Sequence, residues 1–105
     1  MKKEKINGAN KKSLERALVI IERRWSCRLL QALLNGERRF SELQDDLENI
    51  TPRMLSRRLR EFEENDLVEA RFERRPHRVY YRLKSGAKEV RDMLAAIHKW
   101  GRKVR

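Results

Sequence analysis

The sequence predicts a single, mainly helical α+β domain, and three observations lead to that prediction. Apolar residues recur at helical spacing through residues 14–64 and again through residues 90–100. Between these segments, apolar and polar side chains alternate with a period of two, which is typical of strands. The length of 105 residues suits one domain with a modest core.

The chain begins with polar and basic residues, and we predict that residues 1–12 form a flexible arm before a domain spanning residues 13–105. Ser13 is the predicted N-cap of the first helix. That helix is marked by apolar residues at i, i+3, i+4 and i+7 spacing: Leu14, Ala17, Leu18 and Ile21.

A second helix follows the charged residues 22–24 and should end at Asn35-Gly36, where glycine accommodates a left-handed C-terminal residue. Its apolar positions are Trp25, Leu29, Leu30, Leu33 and Leu34. Ser41 and Gln44 then have the spacing of a capping box and predict a short third helix.

The fourth helix has the clearest start. The Thr51 hydroxyl is a predicted N-cap, and Pro52 occupies the first helical position, where its missing N–H has no partner to lose. The helix should run to about Glu64, with Asn65-Asp66 as the break.

Two alternating runs follow and predict an antiparallel hairpin with a basic tip at Arg75-Pro76-His77. Their alternating apolar residues are Val68, Ala70 and Phe72 in the first run and Val79, Tyr81 and Leu83 in the second. Ser85 is the predicted cap of a long C-terminal helix. The apolar stripe of that helix comprises Val90, Met93, Leu94, Ile97 and Trp100.

This order of elements is that of a winged helix-turn-helix with a two-stranded β-hairpin wing and a long C-terminal helix. In that arrangement the fourth helix enters the major groove of DNA, and residues near its N-terminus meet base edges. The arginines of this sequence fall in the helix and the hairpin that such a fold would use.

The charge balance indicates a polyanionic partner. Lys and Arg number 27 against 16 Asp and Glu, which gives a net charge of +11. A basic domain is attracted to nucleic acid or to an anionic membrane surface. Ion pairing of the thermophilic type would explain the charge density but not the positive excess.

The sequence contains no signal-peptide pattern and no apolar run long enough to span a bilayer. Its single cysteine excludes an intramolecular disulfide framework. We therefore expect a cytoplasmic, nucleoid-associated protein with no membrane partner.

The fourth helix separates apolar from basic residues around its circumference. Leu55, Leu59 and Phe62 form its apolar side, while Arg53, Arg57 and Arg60 lie opposite. Arginine suits base reading because its planar fork bonds both acceptors on the guanine edge. The alternative is a solvated face, with Glu61, Glu63 and Glu64 pairing with Arg57 and Arg60. Arg58 lies beside the apolar edge, where it would reach a phosphate or pair with an acid.

The sequence predicts two clusters of DNA-binding residues. The major-groove cluster comprises Thr51, Arg53, Ser56, Arg57 and Arg60. The wing cluster comprises Arg75, His77 and Arg78, with Arg74 beside it, and would track the backbone or enter a minor groove. An ordinary charged hairpin turn is the alternative for the wing. Acids at Glu42, Asp45, Asp46 and Glu48 would repel phosphate, so we expect them to point outward or to pair with arginines.

The first and last helices carry more apolar residues than a small core can bury, and such stripes usually mark interfaces. We predict a two-fold homodimer in which these helices pair across the axis. The predicted interface residues are Leu14, Leu18, Ile21, Met93, Leu94, Ile97 and Trp100.

Several segments resemble the HxlR family of prokaryotic winged-helix transcriptional regulators. They are "RFSEL" at residues 39–43, "ITPRMLSRRL" at 50–59, "LV" at 67–68 and "PHRVYY" at 76–81. The resemblance covers about residues 14–101 and implies a homodimeric DNA-binding regulator with dimer contacts from the terminal helices. Many relatives carry a sensor cysteine where this chain has Lys12, so thiol sensing by that route is not implied.

The predicted function is therefore that of a homodimeric, sequence-specific regulator on a near-palindromic promoter site, modulated by an unknown small-molecule effector or by none. The alternatives are a nonspecific architectural DNA-binding protein, an RNA-binding winged-helix protein and an interaction module for an acidic partner. We expect no catalysis, cofactor or metal, because the sequence lacks a nucleophile–base constellation and His77 and His98 lack metal-site spacing. Cys27 is predicted to be an inert, buried thiol; a thiol switch is the alternative.

Overall fold

The computed structural model describes residues 8–105, apart from the side chain of Ala9. This range contains helices and one antiparallel sheet, as predicted. The helices are α1 (Gly8–Ile21), α2 (Ser26–Leu33), α3 (Phe40–Asp46), α4 (Pro52–Glu64) and α5 (Lys88–Gly101). The strands are β1 (Arg38–Arg39), β2 (Val68–Arg74) and β3 (His77–Leu83).

The core lies where α2, α3 and α4 meet the base of the hairpin. Its largest fully buried side chain is Phe62 of α4, which packs with leucines from each of the three helices. The other buried apolar residues are Leu29, Leu30, Leu33, Leu43, Leu47, Ile50, Leu55, Leu59, Val68, Leu83, Ala87 and Leu94. Burial of this set anchors α4 along one side, so that its opposite side is left to solvent.

The α3–turn–α4 unit is a helix-turn-helix, and its second helix begins as predicted. The Thr51 hydroxyl accepts a hydrogen bond from the Met54 N–H at 3.1 Å, and Pro52 is the first helical residue. The turn before it contains Asn49 in the left-handed region at φ 72°, followed by the buried Ile50. The helix ends at Glu64, also as predicted.

The wing is the β2–β3 hairpin, in register from Val68 opposite Leu83 to Arg74 opposite His77. The sheet also has a third strand that the sequence analysis missed. Arg38 and Arg39 pair with Tyr81 and Tyr80 on the outer edge of β3, giving the order β1-β3-β2. A strand of two residues shows no alternation in the sequence, and only its pairing with β3 identifies it.

Three predicted helix starts were wrong. Ser13 lies inside α1, which already begins at Gly8, so residues 8–12 are helical. Ser41 lies inside α3, which starts at Phe40 because β1 holds Arg39 extended; the Glu42 carboxylate accepts a hydrogen bond from the Arg39 N–H at 2.9 Å. The rest of the predicted arm, residues 1–7, lies outside the described residues.

Ser85 does not cap the C-terminal helix, which starts three residues later at Lys88. A turn intervenes, in which the Ala87 N–H donates to the Lys84 carbonyl at 3.0 Å. Ala87 is buried in this turn. The chain therefore completes a turn at residues 84–87 before α5 begins, and no side-chain hydroxyl of the described residues caps the helix.

Candidate nucleic-acid interface

The exposed side of α4 carries the residues predicted to read the major groove. Arg53, Ser56, Arg57 and Arg60 are all solvent-exposed, while Leu55, Leu59 and Phe62 are buried on the opposite side. The capping residue Thr51 is exposed at the N-terminal end of the same helix. The helix therefore brings these predicted site residues together on one accessible surface, which we call the α4 face.

The arginines of the α4 face have no carboxylate partner in the part of the chain that the structure describes. Within residues 8–105, no ion pair or hydrogen bond involves the side chains of Arg53, Arg57 or Arg60. The predicted alternative was pairing with acids one turn along the helix, and the Glu61 carboxylate binds Arg58 and Arg23 instead. These guanidinium groups are therefore available to an external anion.

Arg58 has a different role from its neighbours on α4. The residue is 7% exposed, its Nε donates to the Arg24 carbonyl at 2.8 Å, and its Nη1 donates to Glu61 Oε1 at 3.0 Å. Two roles were predicted for Arg58, contact with a phosphate or pairing with an acid, and the pairing is confirmed. Sequence spacing alone could not reveal that its partners include a backbone carbonyl 34 positions away.

The wing tip carries Arg74, Arg75, His77 and Arg78, all of them exposed. None of these side chains forms an ion pair within the part of the chain that the structure describes. They do not share one face, because successive residues of a strand point to opposite sides of the sheet. Arg74 and His77 lie opposite each other on the side that includes Val68, whereas Arg78 lies on the other side opposite Glu73.

The base of the wing, in contrast, is neutralised by acids. Arg71 donates to both oxygens of Glu37, at 2.8 and 2.9 Å, and to Glu73 at 3.0 Å. Arg82 donates to Glu69 at 2.8 Å and lies 3.5 Å from Glu37. These contacts lower the pKa of Glu37, chiefly through the hydrogen bond from Arg71. Among the described residues, the unpaired positive charge of the wing is thus confined to its tip.

The acidic residues of α3 also form contacts with arginines. Asp46 forms an ion pair with Arg38, and Glu42 lies 3.5 Å from Arg39. The backbone hydrogen bond from Arg39 lowers the pKa of Glu42. The prediction left open whether these acids point outward or pair with arginines; Glu42 and Asp46 pair, while Asp45 and Glu48 are exposed.

Comparisons with known proteins identify the family. The family model for HxlR-like helix-turn-helix proteins matches residues 20–105. The HTH-type transcriptional regulator YvaP of Bacillus subtilis (strain 168) is 37% identical over 87 residues, covering 82% of this chain and 81% of YvaP. This chain belongs to the HxlR-like helix-turn-helix family. It is a transcriptional regulator with a helix-turn-helix domain, and the predicted family resemblance is confirmed.

Solved structures confirm the winged-helix fold of this HxlR-like regulator. A transcriptional regulator of the MarR family from Enterococcus faecalis V583 matches it with a TM-score of 0.80 and 31% identity, covering 98% of this chain and 93% of that one. The redox regulator HypR in its oxidized form also gives a TM-score of 0.80, with 28% identity over 89% of this chain and 97% of HypR.

The single thiol of this regulator, Cys27, lies in a groove between α2 and α5 that also contains Leu34 and Ile97. Its Sγ is 3.8 Å from the Ile21 carbonyl oxygen. Burial raises the pKa of the Cys27 thiol, so the reactive thiolate is a minor form at neutral pH. Cys27 is partly buried, so the prediction of a buried thiol is met only in part, while the raised pKa supports the prediction of an inert one.

The residues predicted to form a dimer interface differ in exposure. Leu94 is buried in the core of its own chain and Met93 packs against that core, so both hold α5 in place. Leu18 and Ile21 are partly buried. Leu14, Ile97 and Trp100 are exposed by 45%, 47% and 66%. An apolar surface on α1 and α5 therefore remains uncovered in the single chain.

Two further findings concern other kinds of site. No cluster of three or more His, Cys, Asp or Glu side chains able to hold a metal occurs among the described residues. Over the same part of the chain, no helix is both long enough and apolar enough to cross a bilayer.

Proposed function

We propose that this HxlR-like regulator binds double-stranded DNA sequence-specifically, as a homodimer, on a near-palindromic promoter site. The observation that carries the proposal is the α4 face: arginines without a carboxylate partner in residues 8–105, on a helix whose other side is fixed in the core. A rigid scaffold that offers unpaired guanidinium groups is suited to reading base edges, because both position and charge are set before DNA arrives.

Within this proposal, Arg53 and Arg57 contact base edges in the major groove, since both lie in the N-terminal part of α4. Ser56 and the helix N-terminus at Thr51 contact phosphates, and Arg60 lies farther along the groove. Arg75, His77 and Arg78 of the wing tip contact the flanking backbone or minor groove. The regulator would act by occluding a promoter or by being recruited to it.

The proposed dimer joins the exposed apolar residues of α1 and α5 across a two-fold axis, with Leu14, Ile97 and Trp100 at its centre and Leu18 and Ile21 at its edge. Such a dimer would present two α4 helices about one helical turn of DNA apart, roughly 34 Å, or a multiple of that distance. A two-fold arrangement accounts for both the uncovered apolar surface and the expected symmetry of the site.

Ile97→Glu tests the dimer. We expect this variant to elute and scatter light as a monomer, because a carboxylate buried at the interface carries a desolvation cost of several kcal/mol. Ala95→Glu, on the opposite side of the same helix from Ile97 and also exposed, is the matched control and should remain dimeric. A monomeric mass for the wild type would contradict the dimer, and unchanged dimer mass for Ile97→Glu would contradict the assigned interface.

The function is tested by competition. Genomic fragments selected by the wild-type protein should be displaced by excess unlabelled copies of the same fragment and poorly by random duplex or by RNA. Equal displacement by random duplex would favour the architectural alternative, where affinity comes from counterion release alone. Stronger displacement by RNA would favour the RNA-binding alternative. An effector stays a prediction, and a ligand that changes this competition would reveal it.

A further inference from the structure

A continuous set of hydrogen bonds connects the end of α1 to the middle of α4. Arg23 Nε donates to the Val19 carbonyl in the last turns of α1, at 3.1 Å. The same guanidinium donates through Nη1 to Glu61 Oε1 of α4, at 2.6 Å. Arg58 Nη1 donates to both oxygens of Glu61, at 3.0 and 3.2 Å. One carboxylate therefore receives arginines from two separate segments.

The loop between α1 and α2 is fixed to the same point. Arg58 Nε donates to the Arg24 carbonyl at 2.8 Å. The next residue, Trp25, has φ 79°, a left-handed conformation that a bulky residue adopts only when its surroundings impose it. Its ring packs against the core. The path of the chain from α1 into α2 is thus set by contacts with α4 and the core.

These contacts matter because the rest of α1 is weakly anchored. Leu14 and Val19 are exposed, and Ile20 is the α1 residue that packs against the core within the described part of the helix. The direction in which α1 leaves the domain therefore depends on Ile20, on Arg23 and on the contact between Cys27 and the Ile21 carbonyl.

We propose that Arg23, Arg58 and Glu61 form a latch that fixes the angle between α1 and α4 and thereby determines the spacing of the two half-sites that the dimer accepts. The inference rests on the proposed function, in which α1 contacts the two-fold axis and α4 contacts DNA. All three are positioning residues: they orient the α4 face without contacting bases.

The proposed consequence follows from geometry. In the dimer, α1 is held against its partner, so a change of angle between α1 and α4 moves each recognition helix relative to the axis. Successive base pairs are about 3.4 Å apart, and a displacement of that size shifts the preferred half-site by one position. A rigid latch makes the dimer selective for one spacing, whereas a loose latch lets it accept several.

The first test needs no DNA. Nitroxide labels are placed at Lys11→Cys in α1 and Glu64→Cys in α4, both exposed, in a Cys27→Ala background diluted with unlabelled protein. Arg23→Gln should broaden the distance distribution measured by electron–electron double resonance, because α1 loses its bond to Glu61. Arg28→Gln, an exposed arginine of α2 with no ion pair in residues 8–105, is the control. Equal widths for wild type and Arg23→Gln would overturn the latch.

The second test measures which separations of the two half-sites the dimer accepts. Bound sites are selected from a duplex library in which two half-sites are separated by variable lengths. Arg23→Gln should accept a wider range of spacings and bind the best wild-type spacing about 3- to 30-fold more weakly, with base preference inside each half-site unchanged. Because the Arg23 side chain is 45% exposed, its replacement should leave the fold intact, which circular dichroism checks.

An identical spacing profile for Arg23→Gln and wild type would refute the role of the latch in site choice. If the wild type selects no repeated half-site, the proposed function fails and the spacing role fails with it. The label distances still decide separately whether the latch sets the angle between α1 and α4. The two failures are therefore distinguishable.

Discussion

Arg57→Ala is expected to weaken binding to the selected duplex by roughly 1–3 kcal/mol and to relax the base preference at one position of each half-site. Arg57 lies on the α4 face without an acidic partner in the described chain, so its removal takes away a contact with DNA and breaks none within the domain. Binding to random duplex should fall only slightly, by the loss of one charge.

Fluorescence anisotropy with the selected and the random duplex, each at several salt concentrations, measures the effect. Arg102→Ala removes an equally exposed charge beyond the end of α5 and is the matched control; it should change neither preference nor affinity appreciably. Parallel losses on selected and random DNA for Arg57→Ala would contradict base reading and place this arginine on the phosphate backbone.

Arg75→Ala at the wing tip, in contrast to Arg57→Ala, is expected to weaken DNA binding without changing the sequence preference. Phosphate contacts carry no sequence information, so binding to both duplexes should weaken to a similar extent, and the slope of log affinity against log salt should fall by about one. Such a difference between the Arg57 and Arg75 variants would show that α4 recognises the base sequence and that the wing contributes affinity without sequence preference.

The helices and the hairpin were predictable because their signals are local. Apolar residues recur at helical spacing in α4, as Leu55, Leu59 and Phe62 show. The start of α4 is marked twice, by the capping hydroxyl of Thr51 and by Pro52, whose missing N–H is tolerated at the first helical position. The alternation of apolar and polar residues in β2 and β3 likewise shows the two-residue period of a strand. Local patterns of this kind indicate which side of each element is buried, and they were sufficient to place Arg53, Arg57 and Arg60 on the exposed side of α4.

Features that depend on distant residues were not predictable. The serines at 13, 41 and 85 each have the chemistry of a cap, yet Arg39 pairs with Tyr80 immediately before α3, and a turn that ends at the buried Ala87 precedes α5. Phe72 continues the apolar alternation of β2 but is 69% exposed, because the wing extends beyond the core that would cover it.

Arg58 is the clearest case in the candidate site. On a helical wheel it lies beside the apolar edge of α4, and the sequence alone left open whether it would reach a phosphate or pair with an acid. Its assignment required the positions of the Arg24 carbonyl and the Glu61 carboxylate, which belong to the tertiary structure. A prediction that assigned every arginine of α4 to DNA contact would have included Arg58 incorrectly.

Glu61→Ala is expected to lower the free energy of unfolding by about 3 kcal/mol, a large share of the roughly 5–15 kcal/mol that stabilises a typical domain. The carboxylate accepts hydrogen bonds from both Arg23 and Arg58, and its loss leaves the Arg58 guanidinium buried without a counter-charge. Urea unfolding followed by circular dichroism measures the change. Glu64→Ala, an exposed acid on the same helix without an ion pair in residues 8–105, should alter stability by only a few tenths of a kcal/mol.

A second substitution separates the uncompensated charge from the other consequences of losing Glu61. Arg58→Met retains much of the buried side-chain length and removes the charge, so adding it to Glu61→Ala should recover part of the lost stability. Alone, Arg58→Met should be destabilising, since it breaks the bonds to Glu61 and to the Arg24 carbonyl. Strictly additive losses in the double variant would contradict the buried-charge explanation, because they would mean that Arg58 and Glu61 stabilise the domain independently.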